Sequence, residues 1–595
     1  MEPKKPCLLN HGVEIRRFRT LRKNLVIRLG KLILILLLLS TISFSLYQIK
    51  QVKGLTIHVP ADYAKIQSAV IAASARDTIQ VSAGTYYEHI YVNKSLTIAG
   101  ASPQTTIVDG MANGTVFDLD ASNIEIRGFT VRNAGDRYNA INIDRDVVTT
   151  DSDVISNNII TTSAYGIYLS ASDQNTITNN TIIDNPFGGI YASAADAQNI
   201  TGNTIKESAY GIRLSGSINS IIIGNTISQT SYTIYLTGAS TGTTIRRNTL
   251  SGKTSCIYTS SDSTTVDHNT ILDGSSSIYF ANCRYGSIYY NTIINASYGI
   301  RLYASPAITS THNVNNNKIV NSDWAIELQN SNGNTLTGNW LQQNTYGIYM
   351  TASSTTIYHN NFVYNSMGAY VGGGSGNVWD NGSQGNHWSD YPAKYDTNGD
   401  GIGEAAYNIT LIGKDYRPLI NTWSEHDISV KSVTTSQNSV NPGAIVNITV
   451  AVMNNANISV SETFTVTAKY NSTNIDTKTV TNLAKGATQI LTFNWNTAGV
   501  TGGNYTISAV ASTVPDELNT DNNNRTDGAV EIKTPLLGDI NHDGTVNSLD
   551  LALLKQAYGS SPGSPNWNSN ADLNKDNIID VLDQRMLGKD YGKTA

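Results

Sequence analysis

Between Asn158 and Asn360 the apolar positions recur on one beat. An Asn, any residue, and an Ile or Leu are followed about nine residues later by a strand of the Tyr-Gly-Ile-Tyr kind. The Asn residues are Asn158, Asn180, Asn203, Asn225, Asn248, Asn269, Asn291, Asn317, Asn339 and Asn360, spaced 21 to 26 apart. The second strand keeps the same time at Ile167, Ile190, Ile212, Ile234, Ile257, Ile278, Ile300, Ile326 and Ile348. A unit this short cannot bury its own apolar face, so the period predicts a solenoid. The leucine framework of a leucine-rich repeat is missing. Short β-branched runs such as Thr181-Ile-Ile, separated by polar turns, predict strands instead. The expected fold is mainly β: a right-handed parallel β-helix over residues 55–420, one coil per period, with equivalent residues stacked ~4.8 Å apart. The Asn column belongs at a turn, where stacked amides ladder and satisfy backbone groups.

The pattern changes at both ends. Ile66 to Ala75 reads as a short helix with Ile66, Val70 and Ala73 on one face, suited to capping the open solenoid. From residue 427 to 533 the repeat gives way to alternating strands such as Ile445–Val452 and Ile490–Trp495, which predict a seven-stranded, Ig-like β-sandwich. At the start, a basic leader (residues 1–31) precedes Leu32–Ile49, which carries no charge. As a helix that run is ~27 Å, close to the hydrocarbon thickness of a bilayer. The basic flank keeps the leader in the cytoplasm, so everything beyond is exported. A transmembrane signal-anchor at 32–49 is expected, with a signal peptide cut near Ser43-Phe44-Ser45 as the competing reading.

The last 60 residues carry the sharpest chemistry. Asp539, Asn541, Asp543, the Thr545 carbonyl, Asn547 and Asp550 stand at positions 1, 3, 5, 7, 9 and 12 of a calcium loop. Asp572, Asn574, Asp576, the Ile578 carbonyl, Asp580 and Asp583 repeat that set. Gly544 provides the bend in the first copy and Asn577 in the second. Two calcium ions are therefore expected, each loop leading into an amphipathic helix, Leu549–Tyr558 and Val581–Leu587. Asp396, Asn398 and Asp400 resemble the first half of such a loop, but its twelfth position is Tyr407, so a structural turn is expected there.

Composition narrows the function. Charged residues are 14% and the net charge is −6, so no nucleic-acid signature exists. The three cysteines, Cys7, Cys256 and Cys283, form no disulfide framework and no CxxC site. One residue after each core Ile lies an outward column: Tyr168, Tyr191, Arg213, Tyr235, Tyr258, Tyr279, Arg301, Glu327 and Tyr349. Aromatic faces suit the C–H faces of sugars and Arg suits uronate or sulfate, so its Tyr and Arg members are candidate carbohydrate-binding residues. Like-pair stacking of parallel strands would explain the same column. Tyr165, Tyr210, Tyr232, Tyr298, Trp324 and Tyr346, two residues before the Ile, are expected to be packing near the turn. Hydrolysis would need two carboxylates ~5 to 9.5 Å apart. Asp184, Glu207, Asp267, Asp273 and Glu327 occupy different places in the repeat, and Asp151 and Asp153 lie on an insertion. No catalytic residue is assigned.

Several segments resemble known families. Ile66-Gln-Ser-Ala-Val, Asp77-Thr-Ile-Gln-Val, Lys94-Ser-Leu-Thr-Ile-Ala-Gly and Thr106-Ile-Val-Asp-Gly resemble the opening of pectin-lyase-like β-helix proteins. The Asn-x-Ile repeats are similar to those of NosD-like and sugar-hydrolase β-helices. The Asp-Asp and Gly-His-Gly signatures of polygalacturonases are missing. The copper that a NosD resemblance suggests lacks a site, because His268 and His359 are four rungs, ~19 Å, apart and His312 lies between them. Val514-Pro-Asp-Glu-Leu-Asn-Thr-Asp-Asn-Asn resembles CARDB modules (427–533), and the doubled loops resemble a type I dockerin (536–592). The dockerin resemblance implies a cohesin-bearing partner, faced by Ser548, Leu549, Val581 and Leu582 at loop positions 10 and 11. The expectation is a surface-anchored, carbohydrate-binding or adhesion protein that docks to a cohesin. Its alternative is a polysaccharide lyase or glycoside hydrolase delivered by the same dockerin.

Overall fold

The computed structural model describes residues 54–595, apart from 306–307, 410–411, 535, 595 and the side chains of 146–150. The basic leader, the apolar run 32–49 and Cys7 lie outside the described residues. Among the described residues no helix is long and apolar enough to cross a membrane.

The chain winds into a parallel β-solenoid. One wall is a 14-stranded sheet that runs in chain order from Thr56–Val59 to Thr356–Tyr358, and the other walls share a 25-stranded sheet. The core Ile column stays in register: Ile167 lies beside Ile190, Ile190 beside Ile212 and Ile212 beside Ile234. These residues, with Ile177, Ile200, Ile222 and Ile245 from the opposite wall, are fully buried in one continuous core.

From Asn158 onward an Asn closes one corner of each coil. Asn158, Asn180, Asn203, Asn225, Asn248, Asn269, Asn291, Asn317, Asn339 and Asn360 are buried to 1% exposure or less. Asn225 Oδ1 accepts from the backbone N–H of Asn203 at 2.9 Å and from its side-chain amide at 3.0 Å. Asn225 Nδ2 donates to the carbonyls of Ile200 and Ile223 and to Asn248 Oδ1. The ladder continues past Asn360 to Asn386, whose N–H donates to Asp415 Oδ2. Trp388 Nε1 donates to the same oxygen, and its ring stacks on Phe362 at 4.0 Å and on Tyr407 at 4.2 Å. Those rings cover the far end of the core. At the near end helix α1 (Ile66–Ala72) packs against the first strands through Ile66, Ala69 and Val70, and Glu88 accepts from its first two N–H groups. It stops short of Ala75 because Ala73 is already extended.

Residues 428–532 form two packed antiparallel layers around Val446, Val450, Phe493 and Trp495. The first holds Ile428–Thr435, Ile445–Asn454 and Thr488–Asn496; the second holds Ser461–Tyr470, Thr473–Ala484, Gly503–Ala511 and Asn524–Ile532. These are the seven expected strands, and Ser439–Val440 adds a two-residue edge that runs parallel to Glu531–Ile532.

This sandwich is pinned to the solenoid. Asn361 exchanges two hydrogen bonds with the backbone of Trp423, at 2.7 and 2.8 Å, and the Trp423 ring stacks on His359. Tyr290 donates to Glu425, His268 Nε2 meets Asp516, and Lys318 donates to the Leu518 carbonyl. Trp340, Val363 and Leu518 form a small apolar cluster between the modules. Asn361→Ala leaves the Trp423 N–H and C=O unpaired, at a cost of about 1–3 kcal/mol for each buried group. Faster chymotryptic cleavage at Trp423 is expected; an unchanged rate would mean that the other contacts hold the joint alone.

Candidate functional site

The strand Tyr165-Gly-Ile-Tyr-Leu does not alternate strictly. Gly166 and Ile167 both point inward, while Tyr165 and Tyr168 both point outward and are half-buried. Glycine makes this possible. A Cβ on Gly211, the equivalent residue two coils on, would lie 2.5 Å from Ile227 Cγ2 and 2.5 Å from the Thr233 carbonyl. The column two residues before the Ile is therefore not confined to turn packing. It stands beside the outward column, and the two make one aromatic face.

The outward column is longer than the repeat alone indicated. Its register runs Tyr91, Asp118, Asn142, Tyr168, Tyr191, Arg213, Tyr235, Tyr258, Tyr279, Arg301, Glu327, Tyr349 and Tyr370. Twelve steps of ~4.8 Å give a stripe of ~58 Å. Tyr235 stacks on Tyr258 at 4.7 Å and Tyr349 on Tyr370 at 5.1 Å. In the companion column Tyr210 stacks on Tyr232 at 5.4 Å and Tyr298 on Trp324 at 4.7 Å. The Arg213 guanidinium lies 4.8 Å from the Tyr191 ring centre, and that of Arg301 lies 4.8 Å from Tyr298. Burial pushes the Tyr168, Tyr235, Tyr258 and Tyr279 hydroxyls above their ordinary range. They stay protonated at neutral pH, which suits hydrogen bonding and works against service as a general base.

Asp184, Glu207 and Asp273 are exposed and share one place in the coil, each just after the strand that follows its ladder Asn, with Asp184 beside Glu207 on the next coil; this corrects the reading that set them at different positions of the repeat. The other acidic residues of the wall are engaged elsewhere. Asp151 and Asp153 are fully buried beside Arg145, with Asp153 Oδ1 accepting from the Ile124 N–H at 2.7 Å. Burial pushes the Asp153 carboxyl up to about 7, and no polymer can reach it. Asp267 is buried against Arg246 and His268, and Glu327 pairs with Arg301 at 2.7 Å. His312 is buried, accepts from the Gly286 N–H, and is pushed down to about 4 by desolvation. His268 and His359 are held by Asp516 and Gln384 respectively. Among the described residues the one group of three carboxylate, His or Cys ligand atoms within 4.8 Å is Asp396, Asp400 and Glu404. Glu404 holds the ninth position of that loop, which the reading from Asp396, Asn398 and Asp400 alone had passed over.

The paired terminal loops have the same wiring in both copies. Asp539 accepts from the Asp543 and Gly544 N–H groups; Asp572 accepts from those of Asp576 and Asn577. Asp550 and Asp583 are fully buried and each accept from three backbone N–H groups. Asn547 and Asp580 are the N-caps of helices α2 (Ser548–Ala557) and α3 (Val581–Asp590), each completing a capping box. Thr545 and Ile578 sit at the seventh positions, their N–H groups held by Asp543 and Asp576. Asp539, Asp543, Asp550, Asp572, Asp576, Asp580 and Asp583 have no Lys, Arg or His ion-pair partner among the described residues. Seven uncompensated carboxylates with Asn and carbonyl oxygens form a hard oxygen set that fits calcium. Ser548, Leu549, Val581 and Leu582 lie exposed at the two helix starts, with Leu549 59% and Val581 47% exposed.

Comparison with known proteins follows this division. The family described as periplasmic copper-binding protein (NosD) matches residues 70–263 and 251–393. CARDB matches 425–527 and the dockerin type I domain matches 537–590. Dockerin domains dock to cohesins and typically bind calcium. No curated protein matches the chain. Among solved structures, the CARDB domain of a Pyrococcus furiosus protein in complex with di-metal ions is 28% identical, covering 19% of this chain and 92% of its own, with a TM-score of 0.16. The catalytic domain of a GH87 α-1,3-glucanase in complex with nigerose is 14% identical, over 56% of this chain and 70% of its own, TM-score 0.35. The PL6 family alginate lyase AlyGC is 14% identical, over 55% of this chain and 53% of its own, TM-score 0.40. Residues 70–393 span over half of the sequence and hold nearly the whole Asn ladder and aromatic face, so the chain belongs to the NosD family, with a CARDB module and a type I dockerin following its solenoid.

Proposed function

We propose that this is an exported, surface-held protein whose solenoid binds polysaccharide along its aromatic face and whose dockerin, loaded with two calcium ions, attaches it to a cohesin-bearing partner. The observation that carries the binding reading is the unbroken register of the outward column, with stacked rings and two arginines on one open wall. Half-exposed aromatic faces stack on sugar C–H surfaces, and the neutral tyrosine hydroxyls donate to ring and hydroxyl oxygens. The docking reading rests on four exposed residues, Ser548, Leu549, Val581 and Leu582, three of them apolar, set at equivalent places on two calcium-type loops. Membrane attachment rests on the uncharged run 32–49 behind a basic leader.

The test is incubation of the protein with neutral and acidic polysaccharides, reading retention, reducing ends and unsaturated-product absorbance together. Retention without turnover is expected. Tyr235→Ala with Tyr258→Ala, which removes a stacked pair, should weaken retention about tenfold or more, since base- or sugar-type stacking on one ring is worth ~1–3 kcal/mol. New reducing ends or unsaturation would overturn the binding-only reading in favour of a lyase or hydrolase.

A further inference from the structure

The two arginines on the aromatic face are not equivalent. Arg301 Nε meets Glu327 Oε2 at 2.7 Å, one rung away, and Arg301 Nη2 donates to Gln329 Oε1 at 3.5 Å. Its charge is cancelled within the wall. Arg213 has no carboxylate within ion-pair distance among the described residues. Its guanidinium lies over the rings of Tyr191 and Tyr210, at 4.8 and 5.2 Å, and its charge faces the Tyr165 hydroxyl. The neighbouring rungs set Ser193, Ser215 and Thr237 in register just beyond it, adding hydroxyl groups beside the cation. A guanidinium is weakly hydrated and offers a planar fork of donors, so rings that lift it from water prepare it for a planar or tetrahedral oxyanion.

We propose that Arg213 is an acidic-sugar subsite: it takes the carboxylate of a uronic acid, or a sulfate ester in the same place, on the bound polysaccharide, while the rung of Arg301 and Glu327 accepts neutral sugar. This assignment rests on the binding reading above and adds the class of polymer to it. The charged partner stands near the middle of the stripe, with three aromatic rungs before it (Tyr91, Tyr168 and Tyr191) and six aromatic or cationic rungs after it. A single acidic residue per bound segment is therefore enough, and a fully neutral polymer still binds through the rings.

The full-length protein is tested against polygalacturonate, its carboxyl-reduced neutral counterpart, dextran sulfate and dextran. The wild type is expected to prefer an acidic polymer over its neutral match by about tenfold, the scale of one hydrogen-bonded charge contact. That preference should fall as salt is raised. Arg213→Met keeps an apolar stem between the rings and should abolish the preference. Glu327→Gln frees the second arginine and should increase acidic binding. Polygalacturonate against dextran sulfate separates carboxylate from sulfate. If the wild type holds none of the four polymers, the binding reading itself fails. If it holds them with no acidic preference, or Arg213→Met leaves the preference unchanged, the acidic subsite is overturned and the aromatic binding stands. If Arg213→Met does not fold, Arg213→Gln, which keeps length and polarity without the charge, decides: an unchanged acidic preference overturns the proposal.

Discussion

Chelation of calcium is expected to unfold residues 536–592 and to end capture by cohesin, with the solenoid and sandwich still folded. The core of this segment is small. Ile540, Val546, Leu554, Ala557, Ala571, Leu573, Ile579 and Leu587 are its buried apolar residues. A core of that size does not hold a segment of fewer than 60 residues unaided. Against it stand seven carboxylates without a cationic partner, carried on two short loops. Two calcium ions each present at a thousandfold excess over their dissociation constants would contribute about 4 kcal/mol apiece. Their removal thus exceeds what the core supplies, and leaves the carboxylates to repel one another. The measurement is calorimetry of the full chain with calcium and with EGTA, beside cohesin pull-down on a panel of type I cohesins. One transition is expected to vanish in EGTA while the others stay. Asp550→Ala and Asp583→Ala should each remove one ion, because each deletes the buried carboxylate that closes its loop. Survival of both the transition and the capture in EGTA would sink the calcium assignment.

Asn225→Ala is expected to loosen the middle of the solenoid by about 2–6 kcal/mol, from two buried groups left unpaired at ~1–3 kcal/mol each. Asn225 Oδ1 holds the Asn203 backbone N–H and side-chain amide; its Nδ2 holds the Ile200 carbonyl and the next amide in the ladder. None of these partners can reach water, since Asn203, Ile200 and Asn225 are all buried. Asn225→Asp keeps the shape and reverses the donor, setting a charged oxygen against Asn248 Oδ1 and the Ile200 carbonyl, so it should be worse at neutral pH than in acid, where the carboxyl is protonated. Because each coil touches only its neighbours, the damage should stay local. Hydrogen exchange is expected to quicken over the coils from Asn203 to Asn248 and to remain slow near Ile98 and Ile348. Uniform exchange rates in the variant would show that neighbouring coils satisfy the freed groups.

A period in the low twenties, an Asn at each turn and an Ile in each strand leave the chain one economical way to bury apolar surface, so the solenoid was legible from the sequence. The two terminal loops were equally legible, because calcium chemistry fixes which positions carry oxygen. The seven sandwich strands followed from alternation, and α1 from its apolar spacing. The pairing of Arg301 with Glu327 and the isolation of Arg213 were not legible. Both arginines occupy the same place in the repeat, and only the register tells which neighbour is acidic. Glu404 joined Asp396 and Asp400 only when the loop was wound. Tyr165, Tyr210 and Tyr298, two residues before the inward Ile, read as packing near the turn; the buried glycine between them lets two successive residues face inward and turns these tyrosines outward.

The sequence by itself determined what repeats: the coil, its Asn ladder, its Ile core and the doubled loops. Each is set by local spacing, where one misplaced residue exposes an apolar group or strands a polar one. The tertiary structure decided what meets. Stacking turned two separate aromatic columns into one face, set Glu327 beside Arg301, and brought Trp423 and Asp516 onto the solenoid wall. Those contacts join residues 25 to 248 positions apart, and their partners are chosen by packing of whole coils and modules rather than by any local pattern.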